Sequence, residues 1–498
     1  MKRERTSPLE TRGTSGSVMA VALLTFAVLS MIMGTVALRT MTNYHTIIQV
    51  GGWQEAMLAA ESGTDIGMCA LRKTLTDPAN AWNGWTTTAA NGVTLPNNGK
   101  RYVAPTLVHN GEGNTDVNFT VTVDAPAAPG SLIDSTGKQW YRIRSTGTTY
   151  LPATLRPGND KRDRLLRKID FLVDHVTHAN LTRPQAVRTV EMIARPVSFD
   201  NALISAGVIT LNDHDIVIDS FDSRDPAKST NGNYDEAKFQ QNGNIATDGS
   251  LIEAGNAHVY GDVYTNAGTV ANAANVTGEQ RTDFYQDLFP IPTPTWTVIQ
   301  PSASTISGNT TLPALTGSSA SNPTRYKVNS VGENGNTTLT FSASSPNTPS
   351  YIELWVTGDF TSTGTSQIVI DPGVKVKVYV AGNVAVTGNG FVNGDPNPKA
   401  SDLQVLGIQP PRVGTTDPSV YQSRTVSIDG SGAFVGVIYA PNADVSLSNS
   451  GSKALYWGSI VGKTITMNGD TSVHYDEALS QDALTTDYRL ASWFEDNR

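Results

Sequence analysis

The chain contains the segment Phe434-Val-Gly-Val-Ile-Tyr439, followed by Asp444-Val-Ser-Leu-Ser448. It repeats this pattern as Tyr456-Trp-Gly-Ser-Ile-Val461 and Thr464-Ile-Thr-Met-Asn468, with Gly436 and Gly458 22 residues apart. A period of about 20 with two or three short strands per copy is typical of a solenoid, in which each coil buries its apolar row against the next. These residues predict a right-handed parallel β-helix. An antiparallel sandwich is the alternative fold.

A third relative of the repeat reads Val378-Tyr-Val-Ala-Gly-Asn-Val-Ala-Val-Thr387. It extends the predicted β-helix-like domain to residues 351–480, and the remaining residues, 481–498, are predicted to be a polar tail. If the copies stack as coils, Ile438 and Ile460 occupy the same position in adjacent coils and share one buried row.

The residues before this domain differ from it in composition and pattern. Short apolar pieces set off by Gly, Asn and Asp predict a first solenoid segment at 199–290. The interval 291–350 is rich in Pro, Ser, Thr and Asn, which predicts a linker or insertion. Residues 79–198 contain alternating segments such as Asn118-Phe-Thr-Val-Thr-Val123, which predict a β-rich module whose strands bury one face.

The N-terminal region contains a candidate membrane span. No charged residue occurs from Gly13 to Leu38, and about 20 apolar residues suffice for a helix to cross the hydrocarbon layer. The alternative is a cleaved secretory signal, whose apolar region usually has about 7–15 residues. The basic residues lie mostly before the run, which predicts a cytoplasmic N-terminus and a body outside the membrane. They are Lys2, Arg3, Arg5 and Arg12 before it and Arg39 after it.

The helical pattern continues beyond the apolar run. Residues at steps of three and four form one face, and Pro78 ends the helix, so that a leader at 1–16 precedes a helix at 17–78. This face could pack on the chain's own domain or against neighbouring copies in an assembly. Its members are Trp53, Met57, Ala60, Thr64, Met68, Leu71 and Leu75.

Arg12-Gly13, the apolar run and the segment Gln54-Glu-Ala-Met-Leu-Ala-Ala-Glu-Ser-Gly63 together resemble the N-terminal region of PilX-type proteins of type IV pilus assembly. The resemblance covers about 65 residues. It implies a pilin-like protein that is inserted in the inner membrane by its helix and joins a pilus or pseudopilus. It also implies partners among other pilin-like subunits and the assembly machinery.

The resemblance assigns roles to particular residues. A prepilin peptidase would cut after Gly13 or Gly16, and the helix would pack through small and apolar positions. Where the pilin pattern has a glutamate five residues into the mature helix, this chain has Val18 or Val21. That departure favours a minor or accessory role over a major pilin. The implied packing residues are Ala20, Ala27, Gly34, Trp53, Met57, Ala60 and Glu61.

The resemblance extends to the domains behind the helix. Tyr141-Arg-Ile-Arg-Ser-Thr-Gly147 and Arg188-Thr-Val-Glu191 are similar to the sheet that packs on a pilin helix. The C-terminal segments are similar to the β-helical domain that often follows PilX-like N-termini.

The composition argues against several classes of function. The net charge of −9 argues against nucleic-acid binding, and the single cysteine, Cys69, excludes a disulfide framework within the chain. The residues Asp213, Asp215 and Asp219 could bind calcium or act as acid and base, but Asp is also a common turn residue of a solenoid. The sequence therefore predicts no catalytic residue, no cofactor and no metal.

The predicted function is a non-enzymatic pilin-like subunit in the bacterial inner membrane, with a single span and a body in the periplasm or exported in a filament. That body would serve assembly or adhesion, with a surface polysaccharide or a host surface among its candidate partners. The alternative is a membrane-tethered β-helix protein that binds or degrades polysaccharides.

Overall fold

The computed structural model shows a mainly β protein with one long apolar helix at its N-terminus. The described residues are 15–76, 80–89, 92–95, 99–105, 116–125, 140–151, 185–197, 199–213, 215–249, 251–291, 293–296, 304–320, 322–345, 348–408, 424–430, 433–449, 454–482 and 487–496.

Helix α1 spans Ser15–Thr76 without a break at Gly51 and Gly52. At 1.5 Å per residue its 62 residues extend for about 93 Å. The helix is long and apolar enough to cross a membrane. Pro78, which is predicted to end it, lies outside the described residues. A one-turn helix, α2, spans Leu479–Asp482, and three short 3₁₀ turns lie at Glu236–Lys238, Ala273–Asn275 and Ala400–Asp402.

A five-stranded antiparallel sheet packs on the second half of α1. In spatial order its strands are β1 (Lys100–Val103), β2 (Asp116–Asp124), β3 (Tyr141–Tyr150), β4 (Gln185–Val197) and β30 (Asp487–Asp496).

The prediction that 481–498 is a polar tail is wrong for the strand at its centre. Strand β30 pairs antiparallel with β4. Tyr488, which is 8% exposed, packs edge-on against Tyr141 with 5.5 Å between ring centroids. Tyr488 buries its apolar surface against this sheet, whereas Leu490, Trp493 and Phe494 stay about half exposed, so pairing with β4 and the contact of Tyr488 stabilise the strand.

The other strands of the described residues are all parallel and come in two passages of the chain. The first passage contains β5 (Leu203–Ser205), β6 (Ile209–Leu211), β7 (Val217–Phe221), β8 (Ile245–Thr247), β9 (Leu251–Glu253), β10 (His258–Val259), β11 (Val263–Tyr264), β12 (Thr269–Ala271) and β13 (Gln280–Arg281).

The second passage begins after residue 303. Four of its strands, β15, β18, β21 and β24, form a separate sheet, and the others join the first passage in a 21-stranded sheet. The strands are β14 (Thr305–Ile306), β15 (Thr310–Pro313), β16 (Thr324–Val328), β17 (Ser330–Glu333), β18 (Thr338–Ser342), β19 (Ser350–Val356), β20 (Phe360–Ser362), β21 (Gln367–Ile370), β22 (Val374–Val380), β23 (Val384–Gly388), β24 (Phe391–Asn393), β25 (Leu403–Gly407), β26 (Arg424–Gly430), β27 (Phe434–Ser448), β28 (Ala454–Met467) and β29 (Thr471–Asp476).

The register of these strands aligns like side chains from one repeat to the next. Ile438 of β27 pairs with Ile460 of β28, and Gly436 pairs with Gly458, which confirms the predicted alignment of the two copies. The same buried row continues in both directions through paired strands. In spatial order it contains Tyr326, Leu354, Val378, Val405, Ile438, Ile460, Leu203, Ile245 and Val263.

The two passages form one continuous parallel ladder whose spatial order differs from the chain order. Strand β28 pairs with β5 and β6, and β29 pairs with β7. The end of the second passage therefore abuts the start of the first. We call the parallel strands of both passages, β5–β29, the parallel stack.

The prediction that 291–350 is a linker or insertion is wrong for the strands that this interval contains from Thr305 onward. That interval contains β14–β18, and its Ile306, Val331 and Phe341 belong to the same apolar core as the rest of the parallel stack. In β18 the Thr and Ser residues that suggested a linker alternate with the buried side chains of Leu339 and Phe341, as a strand with one covered face requires.

Candidate functional site

The first half of α1 is free of contacts with the rest of the described chain. Most of its large apolar side chains are exposed, and no atom lies within 4 Å of the position that a Cβ would take at Gly34. Its threonine hydroxyls donate to carbonyls of the same helix, as in Thr25 to Ala22 (2.9 Å) and Thr35 to Ile32 (2.8 Å). These threonine hydroxyls are thus satisfied within the helix without water, which suits a lipid environment.

The second half of α1 packs closely on the antiparallel sheet. Ala56 and Ala60 are fully buried, and the backbone of Gly147 on β3 lies against them. A Cβ at Gly147 would collide with the Ala56 carbonyl oxygen and lie 2.6 Å from the Ala60 nitrogen. A Cβ at Gly67 would lie 2.6 Å from Cγ2 of Ile143. Small residues on both surfaces therefore allow this approach of helix and sheet.

The structure places the predicted packing residues in two different environments. Ala20, Ala27 and Gly34 lie on the free half, exposed. On the packed half Ala60 is fully buried, whereas Trp53 is 50% exposed. The Trp53 ring lies 5.4 Å from the guanidinium carbon of Arg188.

The remaining predicted positions fall between these extremes. Met57 and Glu61 are half-buried on the packed half. Gly16 lies at the start of α1, and Gly13 falls outside the described residues.

The contact surface of the packed half contains residues that the sequence argument missed. Large side chains dominate the helical pattern in the sequence, whereas close contacts with the sheet are made by small residues at the same spacing of three and four. That spacing was visible in the sequence. The missed residues are Gly52, Ala56, Ala59, Gly63 and Gly67.

The aspartates considered as a metal or acid–base site do not converge. Asp219 is buried, and it accepts a hydrogen bond from the Tyr234 hydroxyl at 2.6 Å. Its other oxygen lies 2.5 Å from Nδ1 of His474. Asp215 is exposed, and its amide lies 3.5 Å from a carboxylate oxygen of Asp213. Within the described ranges no group of three His, Cys, Asp or Glu residues could hold a metal ion.

Asp219 instead helps to hold a loop on the parallel stack. Residues 222–243 leave the end of β7, and Tyr234 of this loop stacks on His474 with 3.6 Å between ring centroids. Burial and the bond to Asp219 raise the pKa of Tyr234 well above its ordinary value, so the phenol stays protonated. Lys228 of the loop also pairs with Glu477 at 3.0 Å. These contacts fasten the loop to the parallel stack, which is a structural role.

A return segment, residues 282–291 and 293–296, connects the two passages along the outside of the parallel stack. The Tyr439 hydroxyl donates to the Phe289 carbonyl at 2.8 Å, and the Trp296 and Tyr379 ring centroids are 5.4 Å apart. The segment also contacts α1 through Arg72 and Asp287 (3.3 Å).

The return segment is held at its start by β30 and by the loop after β8. Arg489 Nη2 of β30 donates to the Gln286 side chain at 2.6 Å. The backbone N–H of Gln286 donates to a carboxylate oxygen of Asp248 at 2.7 Å. Burial raises the pKa of Asp248 to about 6 in spite of that bond. The return segment thus joins the helix-and-sheet module to the parallel stack.

The comparisons with known proteins add little to this geometry. Residues 303–482, which cover the second passage and α2, match a family described as a domain of unknown function, DUF7305. None of the curated proteins matches the chain. Among solved structures, the crystal structure of the competence-associated pilin ComZ from Thermus thermophilus is 12% identical over 89% of this chain and 97% of that chain, with a TM-score of 0.21. A similarity at that TM-score carries no argument for fold or function.

Proposed function

We propose that the chain is a pilin-like subunit or accessory protein, of PilX type, in a type IV pilus or a related secretion pseudopilus. The first half of α1 anchors it in the bacterial inner membrane, with the N-terminus in the cytoplasm. The rest of the chain lies outside that membrane, in the periplasm or in an exported filament. It serves assembly or adhesion and has no catalytic activity.

The division of α1 into two halves carries this proposal. One half is apolar and exposed, while the other is fixed to a sheet by Ala56, Ala60 and Gly147. A helix that only anchored a folded body in lipid would not need to continue as the core of that body. A filament subunit needs both, because its free half must leave the lipid and pack among other helices.

We further propose that the parallel stack is a right-handed β-helix that projects the adhesive surface. The aligned row from Tyr326 to Val263 supports this, since like residues recur once per coil. The fastening role of Asp219 favours display over degradation of a polysaccharide. Its carboxylate is occupied by Tyr234 and His474.

The topology can be tested with the natural cysteine. Cys69 is exposed on α1 beyond the apolar half. We expect a membrane-impermeant maleimide to label it in intact spheroplasts as fully as after permeabilisation. A Cys69→Ser variant is the control for specificity, and labelling that requires permeabilisation would contradict the proposed orientation.

Cleavage of the leader can be measured directly at the N-terminus. Mass spectrometry of the N-terminus of the native protein should show a chain that begins after Gly13 or Gly16 if a prepilin peptidase acts on it. An intact Met1 would contradict processing.

A further inference from the structure

A polar cavity of about 370 Å³ opens on the outer face of the parallel stack. Its floor is formed by β19 and β22, with Ala320 and Pro323 on one side and Ser401 on the other. The volume lies in the range of about 300–1,000 Å³ that small-ligand sites occupy.

The strand register determines which side chains face this cavity. Ile352 and Val376 point into the core and are buried, so their neighbours along each strand point outward. Glu353, Lys377 and Gln404 form one outward row across three strands. Tyr351 and Lys375 are paired in the next row.

The charges around the cavity leave one cation unbalanced. Lys375 Nζ lies 3.4 Å from Asp402, and Arg325 Nε lies 3.2 Å from Glu353. No carboxylate among the described residues forms an ion pair with Lys377. The ammonium group of Lys377 is therefore available to an anionic group in the cavity.

Gln404 provides a second, independent observation at this cavity. The residue is only 6% exposed, and its Nε2 contacts the Ser401 carbonyl at 3.4 Å. Its Oε1 has no hydrogen-bond donor within the part of the chain that the structure describes. A buried carbonyl without a donor is costly, and a hydroxyl from a ligand would remove that cost.

We propose that this cavity binds an acidic saccharide. The saccharide carboxylate pairs with Lys377, a hydroxyl donates to Oε1 of Gln404, and the apolar face of the sugar ring packs against Tyr351. A sugar acid carries all three of these groups on one ring. The proposal rests on the proposed function, because it gives the displayed stack a surface to adhere with.

The same cation could attract a phosphate backbone, but the surroundings disfavour it. Glu353 and Asp402 lie beside the cavity, and the chain has a net charge of −9. A nucleic acid presents a closely spaced row of phosphates, which needs several cations rather than one.

The test is isothermal titration calorimetry of the full chain in detergent micelles. The probes are cellotriuronate, its uncharged counterpart cellotriose, and hexathymidylate. We expect cellotriuronate to bind and cellotriose to bind at least about tenfold more weakly, since the charge-assisted bond to Lys377 is lost. No binding of cellotriuronate at millimolar concentration, or equal binding of cellotriose, would overturn the proposal. So would binding of hexathymidylate that the Lys377→Gln variant abolishes.

Two variants separate ligand binding from a structural role. Lys377→Gln should weaken cellotriuronate binding about tenfold, whereas Lys463→Gln, which removes an exposed lysine elsewhere on the parallel stack, should not. Gln404→Met should weaken binding without lowering the melting temperature, because it removes a carbonyl that has no donor. Unchanged binding by Gln404→Met would overturn the proposal. These results do not depend on filament assembly, so failure here is distinguishable from failure of the pilin-like function.

Discussion

Gly147 lies at a close approach of α1 and the antiparallel sheet. A methyl group there would overlap the backbone of Ala56 and Ala60. We expect Gly147→Ala to lower the free energy of unfolding of this module by about 1–3 kcal/mol, the usual cost of overpacking. Gly51→Ala is the matched control, because no atom lies within 4 Å of its Cβ position. It should be neutral or stabilise the helix by up to about 1 kcal/mol.

Hydrogen exchange of the α1 amides from residue 52 onward measures this difference. Faster exchange in Gly147→Ala and unchanged or slower exchange in Gly51→Ala are expected. Similar exchange in both variants would mean that the helix is not held by this contact.

Asp248 predicts a pH dependence of stability. Its pKa is about 6 in the folded protein against 3.8 for the ordinary group, so the folded state binds more protons between these values. Stability from this residue is therefore present below about pH 4 and is lost as the pH rises towards 6. We expect the melting temperature of Asp248→Asn to fall less over this window than that of the wild type. Parallel curves would contradict the shift.

At the scale of elements, the buried rows of the parallel stack decide its stability. Ile438 and Ile460 are paired and fully buried, each between neighbours of the same row. We expect Ile438→Ala or Ile460→Ala to lower the free energy of unfolding by about 2–5 kcal/mol. Asp444→Ala should cost about 1 kcal/mol, because Asp444 is partly exposed and its bond from Thr464 at 2.8 Å is only partly buried. Denaturant titration of the full chain measures both, and similar losses for Ile and Asp variants would be inconsistent with stacked rows.

The sequence predicted those elements whose pattern is local. The pairing of Ile438 with Ile460 follows from a repeat within about 20 residues, and α1 follows from an uninterrupted apolar run. Strands β14–β18 were missed because they are short, because most outward positions of β14, β15 and β18 are Ser or Thr, and because the turns between them are rich in Ser, Asn and Gly, the composition that is typical of linkers. Strand β30 was missed because its partner, β4, is remote in sequence, and no local pattern identifies such a partner.

At the scale of the whole molecule, the order of the coils could not be predicted. The chain places Leu203 of the first passage directly beside Ile460 at the end of the second. Many strands in both passages have a buried apolar face that could pair at such a junction. The sequence pattern therefore does not select the pairing of β28 with β5. The return segment between the passages, with its contacts from Trp296 to Tyr379 and from Arg72 to Asp287, makes the stack continuous with the helix.

The candidate site, like the order of the coils, could be predicted from the sequence only in part. The sequence predicted α1 as the functional element, and the family resemblance predicted Ala20, Ala27 and Gly34 as packing positions. It did not show where the free half ends, because that depends on contacts with β3 and β4. The row of Glu353, Lys377 and Gln404 likewise exists only once three strands are in register.

The central claim, that the free half of α1 packs among other helices in a filament, is tested most directly at Gly34. The described chain leaves the space around Gly34 empty, so a side chain there meets none of the described residues and is free to contact a neighbouring helix. We expect sheared filaments to contain the wild type and the Gly34→Ala variant, and to contain much less Gly34→Leu, while all three are equally abundant in the membrane fraction. Equal recovery of Gly34→Leu and wild type in the filaments, or absence of the wild type from them, would contradict the account.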